Sequence, residues 1–158
     1  PLAAMRAGLA QARQPGRFEV IGQAPLRILD VAHNPQAARA LAANLADLPP
    51  SGRCLAVLGM YADKDSAGVM AALRDRIDVW HLAGLPAPRG ASAAQLAETL
   101  AEILAETPDA AASAVHLHED VASAWSAACQ EARGADTILA FGSFHTVADI
   151  FRLNGNDG

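Results

Sequence analysis

The segment Asp30-Val-Ala-His-Asn-Pro35 places an acid, an imidazole and an amide close together in the chain. The residues before it are mainly apolar, as in a buried strand, and proline suits the first turn of a helix. Open α/β sheets bind their ligands where strands end and helices begin. The pattern therefore predicts a binding or catalytic site at residues 30–35.

A second segment of the same character, Phe141-Gly-Ser-Phe-His-Thr-Val147, lies near the end of the chain. It also follows an apolar stretch and opens a predicted helix, so the two segments are expected to form one site. Ser143 and His145 could indicate a hydrolase, but the G-x-S-x-G elbow is missing. Ser143 is predicted either to cap the last helix or to bind a substrate.

Composition narrows the class of protein. The chain has 158 residues, of which 52% are hydrophobic and 18% charged, as expected for one ordered domain. A net charge of -5 with scattered arginines argues against nucleic-acid binding. No apolar segment resembles a membrane span or a secretory leader. Cys54 and Cys129 are interpreted as small apolar residues in a reducing compartment, which predicts a soluble, cytoplasmic protein.

Apolar runs and alanine-rich helical runs alternate along the chain, which predicts an α/β fold with parallel strands joined by helical crossovers. The first strand is expected to be antiparallel to the second, because only a short turn at 23–25 separates them. Strands are predicted at 18–21, 27–31, 54–58, 79–82, 114–117 and 137–141. Helices are predicted at 35–48, 66–75, 93–106, 121–133 and 146–153.

The domain is predicted to span residues 15–153. Residues 1–14, with helix-like sequence at 2–12, are interpreted as the remnant of an upstream linker or domain. Residues 154–158 are expected to form a frayed tail.

Phosphate-binding motifs provide a further test of function. Neither G-x-G-x-x-G nor G-x-x-x-x-G-K-[ST] occurs, and the only lysine, Lys64, does not follow a glycine. A dehydrogenase and a self-sufficient P-loop ATPase are therefore disfavoured. We expect that this chain does not hold a triphosphate by itself.

His116 and His118 raise the question of a metal site, because alternate residues of a strand share one face. A tetrahedral site needs further ligands, and no additional Cys or His pair stands nearby in the sequence. No metal is assigned to the chain. Trp80 and Trp125 are interpreted as packing residues.

Five features in order along the chain resemble one family. They are Arg17 thirteen positions before Asp30-Val-Ala-His-Asn-Pro35, then Gly59-Met60 with Asp63-Lys-Asp65, Pro88-Arg-Gly-Ala-Ser92 and Gly142-Ser-Phe-His-Thr-Val-Ala148. Together they look like the C-terminal domain of bacterial bifunctional dihydrofolate synthase/folylpolyglutamate synthase, in the Mur ligase superfamily. The resemblance implies a Rossmann-like, mostly parallel six-stranded sheet with one antiparallel strand and helices on both faces.

The resemblance also implies an activity. Enzymes of this family use ATP to phosphorylate the carboxylate of dihydropteroate or a folate, and the amine of L-glutamate then attacks the acyl phosphate. Their P-loop and Mg²⁺ ligands lie in an N-terminal domain, which would be this chain's partner in the same protein. We therefore expect the isolated chain to be inactive.

Residue roles follow from the same resemblance. Arg17 and Asp30 match positions that contact ATP, and His33 matches a position implicated in the ligase reaction. Asn34, Ser143 and His145 are assigned to the glutamate side. The roles of Lys64 and Arg89 stay open.

Other interpretations also remain open. Asp30 and Asn34 could cap the helix that begins near Pro35, which is compatible with binding. The chain could instead be a stand-alone nucleotide or amino-acid binding module, or the C-terminal domain of another Mur-type amide ligase.

Overall fold

The computed structural model describes residues 16–108 and 113–155. The six strands are β1 (Glu19–Gln23), β2 (Leu26–Leu29), β3 (Cys54–Leu58), β4 (Val79–Ala83), β5 (Ala114–His118) and β6 (Thr137–Phe141). The helices are α1 (Pro35–Ala46), α2 (Ser66–Leu73), α3 (Ala93–Ala105), α4 (Val121–Glu131) and α5 (Phe144–Gly155), with one 3₁₀ turn at Arg74–Arg76.

The strands form one sheet in the order β1-β2-β6-β3-β4-β5. All neighbouring pairs are parallel except β1 and β2, which are antiparallel. Strand β6 lies between β2 and β3, so the carboxyl ends of these three strands are adjacent. The predicted α/β fold with one antiparallel strand is confirmed.

Apolar side chains cover both faces of the sheet. One core cluster joins the sheet to α1, α2 and α3, and the other joins it to α4 and α5. Trp80 is fully buried in the first cluster and Trp125 nearly so in the second, which confirms their predicted packing role. Burial, and secondarily the Asp78 carboxylate, raises the pKa of the Cys54 thiol to about 12, so this thiol stays neutral.

Side-chain caps fix the starts of four helices. Asn34, Asp65, Ser92 and Asp120 each accept a hydrogen bond from the backbone N–H three residues later. Such caps satisfy one of the amides that a helix leaves unpaired at its amino end. The caps of α1 and α2 lie at the carboxyl edge of the sheet, so they also shape the loops there.

Only β3 and β6 have the predicted boundaries, and the other elements differ from the prediction by one or two residues at one end or both, as β1 and α5 do. Strand β1 begins at Glu19, because Phe18 has a φ of 43°, which no strand residue adopts. Helix α5 begins at Phe144 and continues to Gly155, whereas the predicted helix spans 146–153. The frayed tail at 154–158 stays a prediction. The interpretation of residues 1–14 falls outside the described residues.

None of the helices in the described part of the chain is both long and apolar enough to cross a membrane.

Candidate functional site

The segments at 30–35 and 141–147 meet at the carboxyl edge of β2 and β6. Leu29 of β2 pairs with Ala140 of β6, and the backbone N–H of Asp30 donates to the carbonyl of Ala140 at 2.9 Å. Strand β1 runs the opposite way, so it starts at this same edge, and the turn before it carries Arg17. The antiparallel strand is therefore what brings Arg17 to the site.

The Asp30 carboxylate binds two backbone amides. Its Oδ2 accepts from Phe18 N at 3.0 Å, and its Oδ1 accepts from Ala32 N at 2.8 Å. The residue is 9% exposed and does not cap α1. Asp30 thus ties the Arg17 turn to the end of β2.

Opposing effects act on the ionisation of Asp30. Burial raises the pKa of this carboxyl above its usual value, because water no longer solvates the charged form. The amides of Ala32 and Phe18 and the charge of Arg17 act in the other direction, but burial is the larger effect. Asp30 therefore holds its charge less readily than a surface aspartate does.

His33 lies half-buried in the loop after Asp30. Its Nδ1 is 2.9 Å from the carbonyl oxygen of Val31, and since a carbonyl only accepts, Nδ1 carries the proton. Nε2 is then the acceptor nitrogen of the neutral ring. The ring contacts that of Phe144 at a centroid distance of 6.4 Å, so the two predicted segments touch through these residues.

Asn34 caps α1, with its Oδ1 accepting from Ala37 N at 2.8 Å. Pro35 then begins the helix and lies close to α2, because a Cβ built on Gly68 would be only 2.5 Å from Pro35 Cγ. The amino ends of α1 and α2 are therefore in contact at the site edge. The capping interpretation of Asn34 is confirmed.

The Ser143 hydroxyl is committed to internal hydrogen bonds. Its oxygen accepts from Thr146 N at 3.0 Å, and it bonds Thr146 Oγ1 at 2.9 Å. Thr146 Oγ1 in turn donates to the carbonyl of Gly59 at 3.0 Å, so the Ser143 hydroxyl is the donor of the pair. Ser143 is 2% exposed and lies beneath the surface of the edge. Its contact with glutamate remains a prediction.

Gly142 allows β6 and β3 to approach each other at this edge. Its φ is 117°, and a Cβ there would lie 2.3 Å from the carbonyl oxygen of Gly59. Only glycine fits such a position without displacing the neighbouring backbone.

The His145 side chain contacts the next turn of its own helix α5. Its Nε2 lies 3.1 Å from Asp149 Oδ2, and Asp149 also pairs with Arg152. The His145 ring thus contacts a carboxylate on its own helix, and its assignment to glutamate stays a prediction.

The loops after β3 and β4 are joined. Ala62 N donates to the carbonyl of Arg89 at 2.8 Å, and Ala91 N donates to that of Met60 at 2.9 Å. The Arg89 guanidinium lies over the Tyr61 ring at 4.7 Å from its centroid. Arg89 is therefore fixed at the same edge as Arg17 and His33, and the exposed Lys64 lies in the adjoining loop.

A separate cluster surrounds His116 and His118. Buried His81 lies between them: its Nδ1 is 3.0 Å from His118 Nε2, its Nε2 is 2.9 Å from Glu131 Oε2, and its ring stacks on that of His116. Since the carboxylate only accepts, His81 donates from Nε2 and accepts from His118 at Nδ1. Across residues 16–108 and 113–155, no group of three or more His, Cys, Asp or Glu side chains could hold a metal ion.

Three residues, two at the candidate site and one in the histidine cluster, were not predicted from the sequence. Phe144 is 66% exposed beside His33, although an aromatic residue in that place usually indicates packing. Thr146 anchors Ser143, and the only signal for it was the three-residue spacing of a helix cap. His81 lies within the apolar strand β4, and the sequence pattern gave no signal for its contacts with His116, His118 and Glu131.

Comparison with known protein families decides the assignment. Residues 16–144 match the model of the family described as Mur ligase, glutamate ligase domain. The chain belongs to this family. The resemblance seen in the motifs is thereby confirmed, and the shared edge of β2 and β6 is part of a Mur ligase domain.

Individual proteins similar to this Mur ligase domain carry more specific names than the family does. It is 44% identical over 150 residues to the Escherichia coli K12 "Dihydrofolate synthase/folylpolyglutamate synthase", which covers 95% of this chain and 33% of the relative. It is 38% identical over 146 residues to a "Probable bifunctional folylpolyglutamate synthase/dihydropteroate synthase" of Halobacterium salinarum. That match covers 92% of this chain and 17% of the relative.

Solved structures agree. "E.coli FolC in complex with DHPP and ADP" has a TM-score of 0.83 and 42% identity, with 99% of this chain and 35% of that chain covered. A bifunctional folylpolyglutamate synthase/dihydrofolate synthase "with Mn, AMPPNP and L-Glutamate bound" has a TM-score of 0.79 and 45% identity. That match covers 96% of this chain and 34% of the solved chain. The chain spans about a third of the length of the Escherichia coli relative and of these two solved chains, and 17% of the Halobacterium salinarum relative.

Proposed function

We propose that this Mur ligase domain is the C-terminal part of an ATP-dependent ligase that adds L-glutamate to dihydropteroate, to folates, or to both. The observation that carries the proposal is the meeting of the two predicted segments at one edge, where the His33 and Phe144 rings are 6.4 Å apart. Relatives solved with ADP, with AMPPNP and with L-glutamate share 42–45% of its residues.

The proposed reaction has two steps. The γ-phosphoryl group of ATP passes to the acceptor carboxylate, leaving ADP, and the glutamate amine then attacks the carbonyl carbon of the acyl phosphate, which forms the amide and releases phosphate. The amine must be neutral to attack, and the acceptor Nε2 of His33 is suited to take its proton. The bond from Nδ1 to the Val31 carbonyl holds the ring in the tautomer that this role requires.

The nucleoside of ATP would lie against the Arg17 turn and Asp30. The Arg17 guanidinium is exposed and always charged, so it suits a phosphate or the face of a base. Across the residues that the structure describes, no group of three or more His, Cys, Asp or Glu side chains could hold a metal ion. We propose that the Mg²⁺ ligands and the P-loop belong to an N-terminal domain of the longer protein, which is the partner of this domain.

Asn34, Ser143 and His145 are proposed for the glutamate side. Ser143 would support the glutamate site from beneath its surface, because its hydrogen bonds to Thr146 hold the start of α5 in place. The cytoplasm, where ATP and folates occur together, is the location we propose for the enzyme.

The test uses the intact protein. Purified enzyme with MgATP and labelled L-glutamate is offered dihydropteroate and tetrahydrofolate separately, and the amide products are measured. Product with either acceptor supports the proposal and identifies the substrate. Absence of product with both, together with nucleotide or amino-acid binding by the 158-residue chain alone, would favour a stand-alone binding module.

The chain alone offers a second test. It should show no ATP turnover and should bind ATP weakly in a calorimeter, because the phosphate-binding half is absent. Tight ATP binding by this chain would contradict the division of contacts proposed here.

A further inference from the structure

We infer that the guanidinium of Arg89 binds the side-chain carboxylate of the incoming L-glutamate and so selects glutamate over amino acids with uncharged side chains. The inference rests on the proposed function, because it concerns the amino-acid side of the same site. Arg89 combines a fixed backbone, a supported guanidinium and a charge that no described residue pairs.

Backbone hydrogen bonds hold the chain on both sides of Arg89. The Arg89 carbonyl accepts from Ala62 N at 2.8 Å, and Gly90 N donates to the carbonyl of Pro86 at 2.9 Å. Gly90 also pairs with Tyr61 in an antiparallel bridge between the two loops. The Arg89 side chain therefore leaves the backbone at a fixed point of the carboxyl edge of the sheet.

The Tyr61 ring supports the Arg89 guanidinium. The Cζ atom of Arg89 lies 4.7 Å from the ring centroid, within the distance of a cation–π contact. Contact through the flat face leaves the N–H groups around the rim of the guanidinium available, and these are the groups that bind a carboxylate at two points. The ring therefore orders a long side chain before the ligand arrives, which reduces the entropy cost of binding.

The charge of Arg89 is exposed and is unpaired among the described residues. Two acids lie in the adjoining loop, but no ion pair joins Asp63 or Asp65 to Arg89. Asp65 instead accepts from Gly68 N as the cap of α2. A cation that is held in place without a counter-charge attracts an anionic ligand.

The order of the strands indicates which anion reaches Arg89. The ATP side lies at the Arg17 turn beside β1 and β2, whereas Tyr61 and Arg89 follow β3 and β4 on the other side of β6. Neighbouring strands are about 4.8 Å apart, so the loop after β3 is displaced by about 10 Å from the loop after β2, which carries His33. Arg89 is therefore separated from the nucleotide by the width of the proposed reaction centre.

The length of L-glutamate matches this displacement. Five bonds separate its amine nitrogen from a side-chain carboxylate oxygen, so the extended molecule with a hydrogen bond at each end spans roughly 12 Å. The amine can thus lie at His33 while the side-chain carboxylate meets Arg89. The α-carboxylate is attached to the same carbon as the amine, so it stays closer to His33.

The experiment uses the intact ligase and measures KM for L-glutamate, for ATP and for each acceptor, with the constant for inhibition by L-glutamine. L-Glutamine has the length and backbone of glutamate but an uncharged side chain. Dihydropteroate and tetrahydrofolate are tested separately, because the acceptor could also offer a carboxylate to Arg89. Thermal unfolding shows that each variant is folded.

The variants are Arg89→Gln, Arg89→Lys and Tyr61→Leu. Arg76→Gln is the matched control, because Arg76 is an exposed arginine before the amino end of β4, at the opposite edge of the sheet.

Arg89→Gln should raise KM for L-glutamate by roughly 10- to 100-fold, the effect of losing one charge-assisted contact. KM for ATP and inhibition by L-glutamine should change little, since neither ligand uses this charge. Arg89→Lys should restore only part of the loss, because an ammonium group cannot make the planar two-point contact. Tyr61→Leu should raise KM for L-glutamate several-fold, and Arg76→Gln should behave as wild type.

Three results would overturn the inference. One is an unchanged KM for L-glutamate in Arg89→Gln. Another is an equal weakening of L-glutamate and L-glutamine in that variant, which would give Arg89 a structural role or place it at the α-carboxylate. The third is a raised KM for tetrahydrofolate alone, which would assign Arg89 to the acceptor.

Two further outcomes are distinguishable from these. If Arg89→Gln does not fold, unchanged glutamate kinetics in both Arg89→Lys and Tyr61→Leu would refute the inference. Absence of ATP-dependent glutamate addition in the wild-type protein would refute the proposed function, and the inference with it.

Discussion

His33, four residues after β2, and Phe144, the first residue of α5, place their rings at a centroid distance of 6.4 Å. The sheet order makes this contact possible, because β6 is inserted between β2 and β3. Residues from the two ends of the domain therefore share one surface.

Replacing His33 by alanine should lower kcat for glutamate addition in the intact enzyme by roughly 10²–10⁴-fold, the usual contribution of a general base. Stability should change little, since the ring is half-buried and makes one hydrogen bond to a carbonyl. Steady-state kinetics and thermal unfolding measure the two effects. His116→Ala, on the exposed face of β5, is the matched control and should leave kcat unaltered.

Replacing Phe144 by alanine should weaken substrate binding while sparing the fold. The side chain is 66% exposed, so its removal costs little burial, yet it borders His33. We expect KM for glutamate or for the folate acceptor to rise several-fold. Phe151→Ala on the same helix, where the ring is 38% exposed, is the control. Equal kinetic effects of the two substitutions would argue against a special role for Phe144.

Ser143→Ala should destabilise the domain by about 1–2 kcal/mol, because it removes the cap of Thr146 N and leaves buried polar atoms unpaired. Denaturant unfolding of the isolated chain measures the change. Thr99→Val removes an exposed hydroxyl that bonds only its own helix, and it should cost much less. A Ser143→Ala variant as stable as wild type would show that the hydroxyl network is dispensable.

Acidification should destabilise the domain through the histidine cluster. Burial lowers the pKa of both His81 and His118, with smaller effects from neighbouring histidines, although Glu131 favours the charged form of His81 and Asp120 that of His118. The unfolded chain therefore takes up protons first. The two neutral histidines contribute their full stability at pH values above the ordinary histidine pKa of 6.5. That stability is lost as the pH falls from 6.5 toward the lowered pKa values of the folded state.

Unfolding of the isolated chain between pH 8 and pH 5 checks this expectation. The combined variant His81→Gln/His118→Gln should show a shallower loss of stability with falling pH than wild type. Thr99→Val, which removes a hydroxyl that does not titrate and lies outside the cluster, is the control and should follow the wild-type slope. A steeper loss in the combined variant would reverse the sign that we assign.

The periodicity of the sequence predicted the strands and helices, because local patterns of burial determine them. The short turn at 23–25 predicted the antiparallel first strand. It failed at Phe18, whose positive φ is stabilised by a hydrogen bond from its backbone to Asp30, twelve positions away. It also placed the start of α5 too late, since Ser143 caps the helix at the glycine-containing turn.

Only the location of the candidate site at one edge of the sheet could be predicted from the sequence. The edge location of residues 30–35 and 141–147 follows from the topology, and the structure confirms it. The pairing of His81 with Glu131 could not be predicted, because fifty residues separate them and the contact forms only when α4 packs on β4. The burial of Ser143 depends likewise on Thr146 reaching the Gly59 carbonyl across the sheet.

The joined loops after β3 and β4 limit how this domain can be re-engineered. Hydrogen bonds from Ala62 to Arg89 and from Ala91 to Met60 make the two loops one unit, with the Arg89 guanidinium resting on Tyr61. A chimera that imports one loop from a relative would lose its bonding partners in the other. Exchanging substrate preference between relatives by loop grafting should therefore require transplanting both segments together.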